Sequence, residues 1–283
     1  MKIEAKLLST RDESTKKLFN ISVSKLKVFE NCQAQYKFQF IDKLPKKKQD
    51  SLTFGLFLHL ILEYFHGEII KNPELSNTWE SILEKSWDIG YDKYSKDLTG
   101  DQYKEAKEII NIYKNIIIEQ GLSNVIAVEK SFLININDQI LLGGVIDRIQ
   151  IDKDGIIHVC DYKTTKNVKY LKDFFQLMTY CYVIMLEDSS ITKLRSSFVL
   201  LKHNFKYLTK EYSRDEVISI AEKFFECFLK IGEEKLWREN PQFLCKYCDY
   251  LDNCKKGKDY LIKKGLLKTK DIKKVPFVGI RKW

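Results

Sequence analysis

The chain has 283 residues, 44% of them hydrophobic and 31% charged, with a formal net charge of +9. That is enough apolar material for one large domain or one domain with appendages, and four prolines and twelve glycines are too few for long disordered linkers. The segment Met1 to Asn20 is polar, without the apolar stretch of a secretory signal, and no apolar run reaches bilayer length, so a cytoplasmic, reducing location without membrane is expected. Seven cysteines in such a compartment argue for metal ligands or buried thiols rather than disulfides.

Residues 22–41 read as a helix opened by Ser22 or Ser24 and stopped near Lys43-Leu-Pro45, because proline disfavours helix in the residue before it. A strongly apolar helix follows over about 53–70. Residues 76–120 read as wholly helical, with Tyr103, Ile109, Ile110, Tyr113 and Ile117 as core candidates. The periodicity then switches to two, giving strands at 125–136, 139–151 and 156–162 joined by the tight-turn signals Asn137-Asp138 and Lys153-Asp154-Gly155. A helix over 170–186, a strand over 194–201, a weaker one over 207–212 and a helix from 215 to about 237 complete the pattern. The class is α/β: a mixed central β-sheet flanked by helices, set in a mostly helical frame. The surplus charge lies at the end, where Lys255 to Trp283 holds eleven Lys/Arg against Asp259 and Asp271, a net of +9. Such a tail suits nucleic acid first and an anionic membrane second, although a solubilising tail has the same composition.

Asp147, in Gly143-Gly-Val-Ile-Asp-Arg, and Asp161, in Cys160-Asp-Tyr-Lys163, lie on adjacent strands. Asp161 and Lys163 are two apart and share a face, while Tyr162 points away but can offer its carbonyl. Two carboxylates on one face repel unless a proton or cation separates them, and oxygen ligands suit Mg²⁺ or Mn²⁺. Such an ion activates water and stabilises charge on a phosphodiester, with Lys163 beside it. The competing reading is a surface Asp–Lys pair on a hairpin, worth little.

These strings resemble the RecB-like branch of the PD-(D/E)XK nuclease superfamily. Further matches follow in the family's order: Gly55-Leu-Phe-Leu-His59 resembles its Gly-x-x-x-His helix, Glu129 stands where an acid is often found, and Gln176-Leu-Met-Thr-Tyr180 resembles its Gln-x-x-x-Tyr motif. The resemblance implies a restriction-endonuclease-like core over about 21–254, with residues 1–20 as an N-terminal extension, a helical insertion near 71–120 and a basic tail over 255–283. It implies His59, Asp147, Asp161 and the Tyr162 carbonyl as metal ligands, and catalytic roles for Asp147, Asp161, Lys163, Gln176, Tyr180 and Glu129. From the residues alone, His59 equally fits a core histidine, Gln176 and Tyr180 fit polar tips of a packed helix, and Glu129 fits a solvated position. His66, His158 and His203 receive no role, and Cys160, Cys181 and Cys227 read as buried thiols.

Cys245, Cys248 and Cys254 form a C-x2-C-x5-C run, and Cys32 is the candidate for a fourth thiolate. Four thiolates suit either Zn²⁺ or an iron–sulfur cluster. Members of the RecB-like branch, among them CRISPR-adaptation exonucleases and AddB-type nucleases, share this layout around a [4Fe–4S] cluster, and the resemblance implies the same clip here. It would bring Lys46, Lys47 and Lys48 near Lys255 and Lys256, a basic rim for DNA in which Tyr36, Phe38, Tyr247 and Tyr250 could stack on bases. The expected function is a metal-dependent nuclease, by resemblance an exonuclease on single-stranded DNA ends. It would act alone or with a helicase, recombination or CRISPR-adaptation subunit, since no P-loop is present. The alternatives are a non-catalytic cluster-stabilised DNA-binding subunit and a zinc-stabilised interaction protein.

Overall fold

The computed structural model of the chain describes residues 5–8, 18–46, 50–171 and 174–267. Lys47, Lys48, most of the N-terminal extension and the tail beyond 267 lie outside the described residues. The chain divides into two compact units: Met1–Val23 with Gln49–Glu226, and Ser24–Lys48 with Cys227–Trp283.

The first unit is built on a seven-stranded mixed sheet. β1 (Ala5–Leu7) flanks β3 (Val125–Ile136), and β2 (Phe19–Ile21) runs parallel to the start of β4 (Ile140–Ile151). β3 and β4 form a long antiparallel hairpin, turned over residues 137–139 with Asn137 and Asp138 left-handed at φ 52° and 50° and the Gln139 N–H donating to the Ile136 carbonyl at 3.1 Å. β5 (Ile157–Lys163) lies antiparallel to β4 and parallel to β6 (Lys193–Leu200), which pairs antiparallel with β7 (Lys206–Ser213). The parallel β5–β6 step needs a crossover, and α6 (Phe175–Glu187), buried along most of its length, provides it.

Three helices cover one face. α3 (Asp50–Lys71), α4 (Trp79–Tyr94) and α5 (Gly100–Gln120) bury Phe57, Leu58, Ile61, Phe65, Ile109 and Tyr113 with Cys160, Tyr162 and Val199 of the sheet. Helices α3 and α4 approach closely at Gly90, where a Cβ would lie 2.9 Å from Ile61 and 3.0 Å from Phe57. The region expected to be wholly helical is so but for a short break before Thr99, between Trp79–Tyr94 with its 3₁₀ turn Ser95–Asp97 and Gly100–Gln120. There Thr99 Oγ1 accepts the Gln102 N–H (3.2 Å) and Gln102 Oε1 accepts the Thr99 N–H (2.9 Å), a reciprocal cap that starts a new helix. Tyr103 is half-buried against Trp87 and Tyr91 rather than in the core.

The second unit corrects another expectation. In place of one helix over 22–41 stand α1 (Val23–Asn31), α2 (Gln33–Tyr36) and a π-helical turn (Lys37–Ile41). Cys32 between them is extended, at φ −162° and ψ 109°. Competing bonds from the 238–242 segment hold the break open: Ala34 N–H donates to the Arg238 carbonyl (3.2 Å), and Asn240 Nδ2 donates to the Asn31 carbonyl (2.8 Å). The helix expected over 215–237 is likewise two, α7 (Arg214–Ile218) and α8 (Ile220–Glu233). Beyond them Trp237, at φ 47°, turns the chain so that its indole stacks on Tyr36, with centroids 6.0 Å apart. α9 (Lys255–Lys263) closes the described chain. Tyr36 and Tyr250, considered above for base stacking, are 2% and 1% exposed and belong to this unit's core. Phe38 packs on Tyr250, whereas Tyr247 stays exposed.

Candidate functional site

The β4–β5 ladder pairs Arg148 with Cys160, so one step further Asp147 falls opposite Asp161. Side chains opposite one another in a ladder leave the sheet on the same face. Here the strands part, and Asp147 Oδ2 accepts the backbone N–H of Tyr162 at 2.8 Å instead of a strand continuing the ladder. Asp161 is nearly fully buried; one of its oxygens accepts from Gln176 Nε2 at 2.8 Å and the other pairs with Lys163. The Lys163 ammonium also lies over the Phe198 ring, 5.4 Å from its centroid.

Two further elements bring groups to Asp147. From α3, His59 Nδ1 lies 3.6 Å from Asp147 Oδ2, and its ring stands edge-on to Tyr162. From β3, Glu129 sits opposite Asp147 by the flanking register, at φ 44°. A left-handed glutamate in a strand re-aims its side chain at a local cost, a device frequent beside active sites. Ligand atoms of His59, Glu129 and Asp147 all lie within 4.8 Å of one another, close enough to share one ion. Asp161 stands beside this trio, held by Gln176 and Lys163. Gly55, one turn before His59, faces Thr164, where a Cβ would meet Oγ1 at 3.4 Å, so the helix passes near the strand end without strict need for glycine. The sequence reading missed Glu63. It follows His59 by one helical turn, and that spacing was the available signal.

The electrostatics describe a site short of positive charge. Burial and the neighbouring Asp161 push Asp147 up to about 8. Burial and repulsion from Glu63 and Asp161 push Glu129 up to about 7. Burial holds His59 below the ordinary histidine value, so its imidazole is neutral and able to ligate. Carboxylates that retain protons for want of a cation, with a neutral imidazole among them, are a donor set that fits a divalent ion.

Behind this group Gln176 acts as a bridge. Its Nε2 donates both to Asp161 and, at 2.9 Å, to the Tyr180 hydroxyl. Tyr180 packs edge-on to Phe132. Gly144 makes that possible, since a Cβ there would come within 2.5 Å of the Phe132 ring. On the opposite face, Arg148 is 1% exposed, with its guanidinium 5.3 Å from the Tyr162 ring centroid and Nη2 donating to the Tyr207 hydroxyl at 2.5 Å. His66 meets the Tyr113 hydroxyl, and His158 lies between Asp152 and Ser197, so both have structural partners.

Within the smaller unit, Cys32, Cys245, Cys248 and Cys254 line one cavity of about 240 Å³. All four are half-buried and unpaired by disulfides, and burial pushes Cys248 up to about 11, the other sulfurs adding to it. Lys46, Lys255 and Lys256 are exposed in the same unit, with Lys256 paired to Glu239 at 3.2 Å. No helix among the described residues is long and apolar enough to cross a membrane.

A sheet whose parting strands present acid, acid and lysine, capped by a histidine from a flanking helix, defines a class of phosphodiester-cleaving folds. The chain belongs to the PD-(D/E)XK nuclease superfamily, whose model matches residues 20–255. It is 27% identical over 170 residues to an ATP-dependent helicase/deoxyribonuclease subunit of Streptococcus pyogenes serotype M1, covering 56% of this chain and 16% of that protein. The corresponding protein of Streptococcus mutans is 28% identical over 176 residues, 57% of this chain and 16% of that protein. The chain thus spans about a sixth of the length of these curated relatives. A solved structure of a candidate exonuclease from Eubacterium rectale superposes with TM-score 0.50 at 15% identity, covering 83% of this chain and 89% of that one, which shows a shared fold.

Proposed function

We propose that this nuclease is a Mg²⁺- or Mn²⁺-dependent deoxyribonuclease acting at single-stranded DNA ends, with one observation carrying the reading: His59, Glu129 and Asp147 bring ligand atoms within 4.8 Å beside the Asp161–Lys163 pair. In it His59, Asp147, Asp161 and the Tyr162 carbonyl hold the ion, with Glu129 close enough to join them. A bound divalent cation would supply Lewis acidity toward a phosphate oxygen and a lowered pKa for water. Lys163 orients the attacking water and offsets charge developing on the phosphate. Gln176 fixes the Asp161 oxygen that Lys163 does not contact, and Tyr180 fixes Gln176, so the carboxylate's direction is set before substrate arrives. His59, held neutral by burial, needs no deprotonation to ligate.

The four cysteines would hold a [4Fe–4S] cluster. All four line one cavity, the arrangement that a shared iron–sulfur cluster or a zinc ion requires. Lys46, Lys47, Lys48, Lys255 and Lys256 would draw the phosphate backbone. The streptococcal relatives, named as subunits of a helicase/deoxyribonuclease, favour work beside a helicase. A non-catalytic DNA-binding subunit would have no use for the Asp–Asp–Lys set. Digestion of end-labelled single- and double-stranded DNA with Mn²⁺ tests the reading: label release from single strands, abolished in Asp161→Ala and Lys163→Ala, supports it. Binding without cleavage by the parent protein contradicts it.

A further inference from the structure

Charge is divided unevenly between the two units. Residues 24–48 and 227–283 carry a formal +13, leaving −4 on the unit that holds the acidic site. A net-acidic catalytic unit repels a polyanion at long range, so attraction of DNA falls to the smaller unit. That unit also exposes an apolar ledge. On the 3₁₀ turn Phe243–Tyr247, Phe243 is 47% exposed, Leu244 45% and Tyr247 64%. Phe243 and Tyr247 stand edge to face with centroids 6.2 Å apart, and the Lys246 ammonium lies 5.7 Å from the Tyr247 ring.

The turn is pinned from both sides. Gln242 N–H donates to Cys245 Sγ at 3.3 Å, Gln242 Nε2 donates to Asn31 Oδ1 at 2.9 Å, and α9, which carries the exposed Lys255, packs against the turn. The backbone that carries the rings is therefore held in place, and a partner loses little entropy in ordering it. Leu244 and Tyr247 also line the cysteine cavity and could serve only to shield it. Phe243 does not line that cavity, so shielding leaves its exposure unexplained.

We propose that Phe243, Leu244 and Tyr247 form a base-stacking platform that grips an unpaired DNA strand, with Lys246 and Lys255 on its phosphates. Exposed aromatic rings interleaved with lysines match the two chemistries of single-stranded DNA, a π-face on every base and a charge on every phosphate. The inference rests on the nuclease reading and names the surface that would load its substrate.

The test is fluorescence anisotropy with labelled oligothymidylate and a blunt duplex of equal length, on full-length protein in a Lys163→Ala background that cannot cleave. Phe243→Ala and Tyr247→Ala should each weaken single-strand binding by about fivefold or more, given the usual worth of one stacked base. The salt dependence should stay unchanged, because no phosphate contact is lost, and duplex affinity should change by less than twofold. In otherwise native protein, Phe243→Ala should leave Mn²⁺-dependent hydrolysis of bis(p-nitrophenyl) phosphate intact, showing that the metal centre and the fold survive. Single-strand affinity within twofold of the parent, or equal loss on single strand and duplex, overturns the proposal while the nuclease reading stands. A parent that neither binds DNA nor hydrolyses the small ester overturns both.

Discussion

The backbone N–H of Tyr162 donates to Asp147 Oδ2 at the point where β4 and β5 part. One peptide group thereby fixes a carboxylate on the adjacent strand, and a backbone hydrogen bond ties the same residue to His59. The side chain of Tyr162 is anchored on the other face by the buried Arg148. The site's geometry depends on what holds this peptide as much as on the acids.

Arg148 sits among Tyr162, Tyr207 and Cys160, and among the described residues no carboxylate is hydrogen-bonded to it. Arg148→Lys would replace a planar, weakly hydrated cation by a strongly hydrated point charge that cannot stack on both rings. A loss of about 2–4 kcal/mol is expected, the scale of a buried charge left poorly paired. Urea unfolding with and without the substitution measures it, and an unchanged midpoint would show that the anchor is dispensable.

Gln176→Leu keeps the volume of the bridge and removes its donors. Asp161 and the Tyr180 hydroxyl then lose a shared partner, and the cleavage rate should fall by about 10–100-fold, the usual range for a group orienting a metal ligand. Tyr180→Phe should cost less, because Gln176 keeps its bond to Asp161. Single-turnover cleavage across a Mn²⁺ titration separates weaker metal binding from slower chemistry.

The metal-free protein should depend on pH in a defined direction. Asp147, raised to about 8, and Glu129, raised to about 7, lie above their unfolded values. Their contribution to stability is therefore complete below the ordinary carboxylate range and is lost as pH rises to about 8. Melting temperature without divalent ion should fall from pH 5 toward pH 8, and Mn²⁺ should restore it increasingly as pH rises. Calorimetry of Mn²⁺ binding at pH 6.5, in buffers of different ionisation enthalpy, should show proton release; no release would mean the acids were already ionised.

Protein purified without oxygen should absorb in the visible if the cysteine cavity holds an iron–sulfur cluster. Cys248→Ser should abolish that absorption and lower the melting temperature, because the ligands join Cys32 to the 245–254 run across a long loop. Colourless protein with bound zinc would replace the cluster by a single ion.

Much of the sheet was legible in the sequence. Alternation at 125–136 and the Asn137-Asp138 turn specify the β3–β4 hairpin locally, because a half-buried strand has period two and the turn needs left-handed residues. The juxtaposition of Asp147 with Asp161 followed from hairpin pairing. The break at Cys32 was not legible, since bonds from residues more than 200 positions away create it. Glu63 was overlooked because its relation to Glu129 exists only once α3 meets β3, and the burial of Tyr36 and Tyr250 likewise depends on tertiary partners. The Thr99 cap was there to be read, as Thr-x-x-Gln, inside a pattern that otherwise looked continuous.

The most direct measurement of the metal-centred account is electron paramagnetic resonance of Mn²⁺ titrated into the protein and into Asp147→Ala, with DNA cleavage assayed on the same samples. The account predicts a bound, broadened Mn²⁺ signal that saturates together with cleavage in the parent, and loss of both in the variant. Cleavage that proceeds undiminished in Asp147→Ala, or Mn²⁺ that binds equally well without that carboxylate, would contradict it.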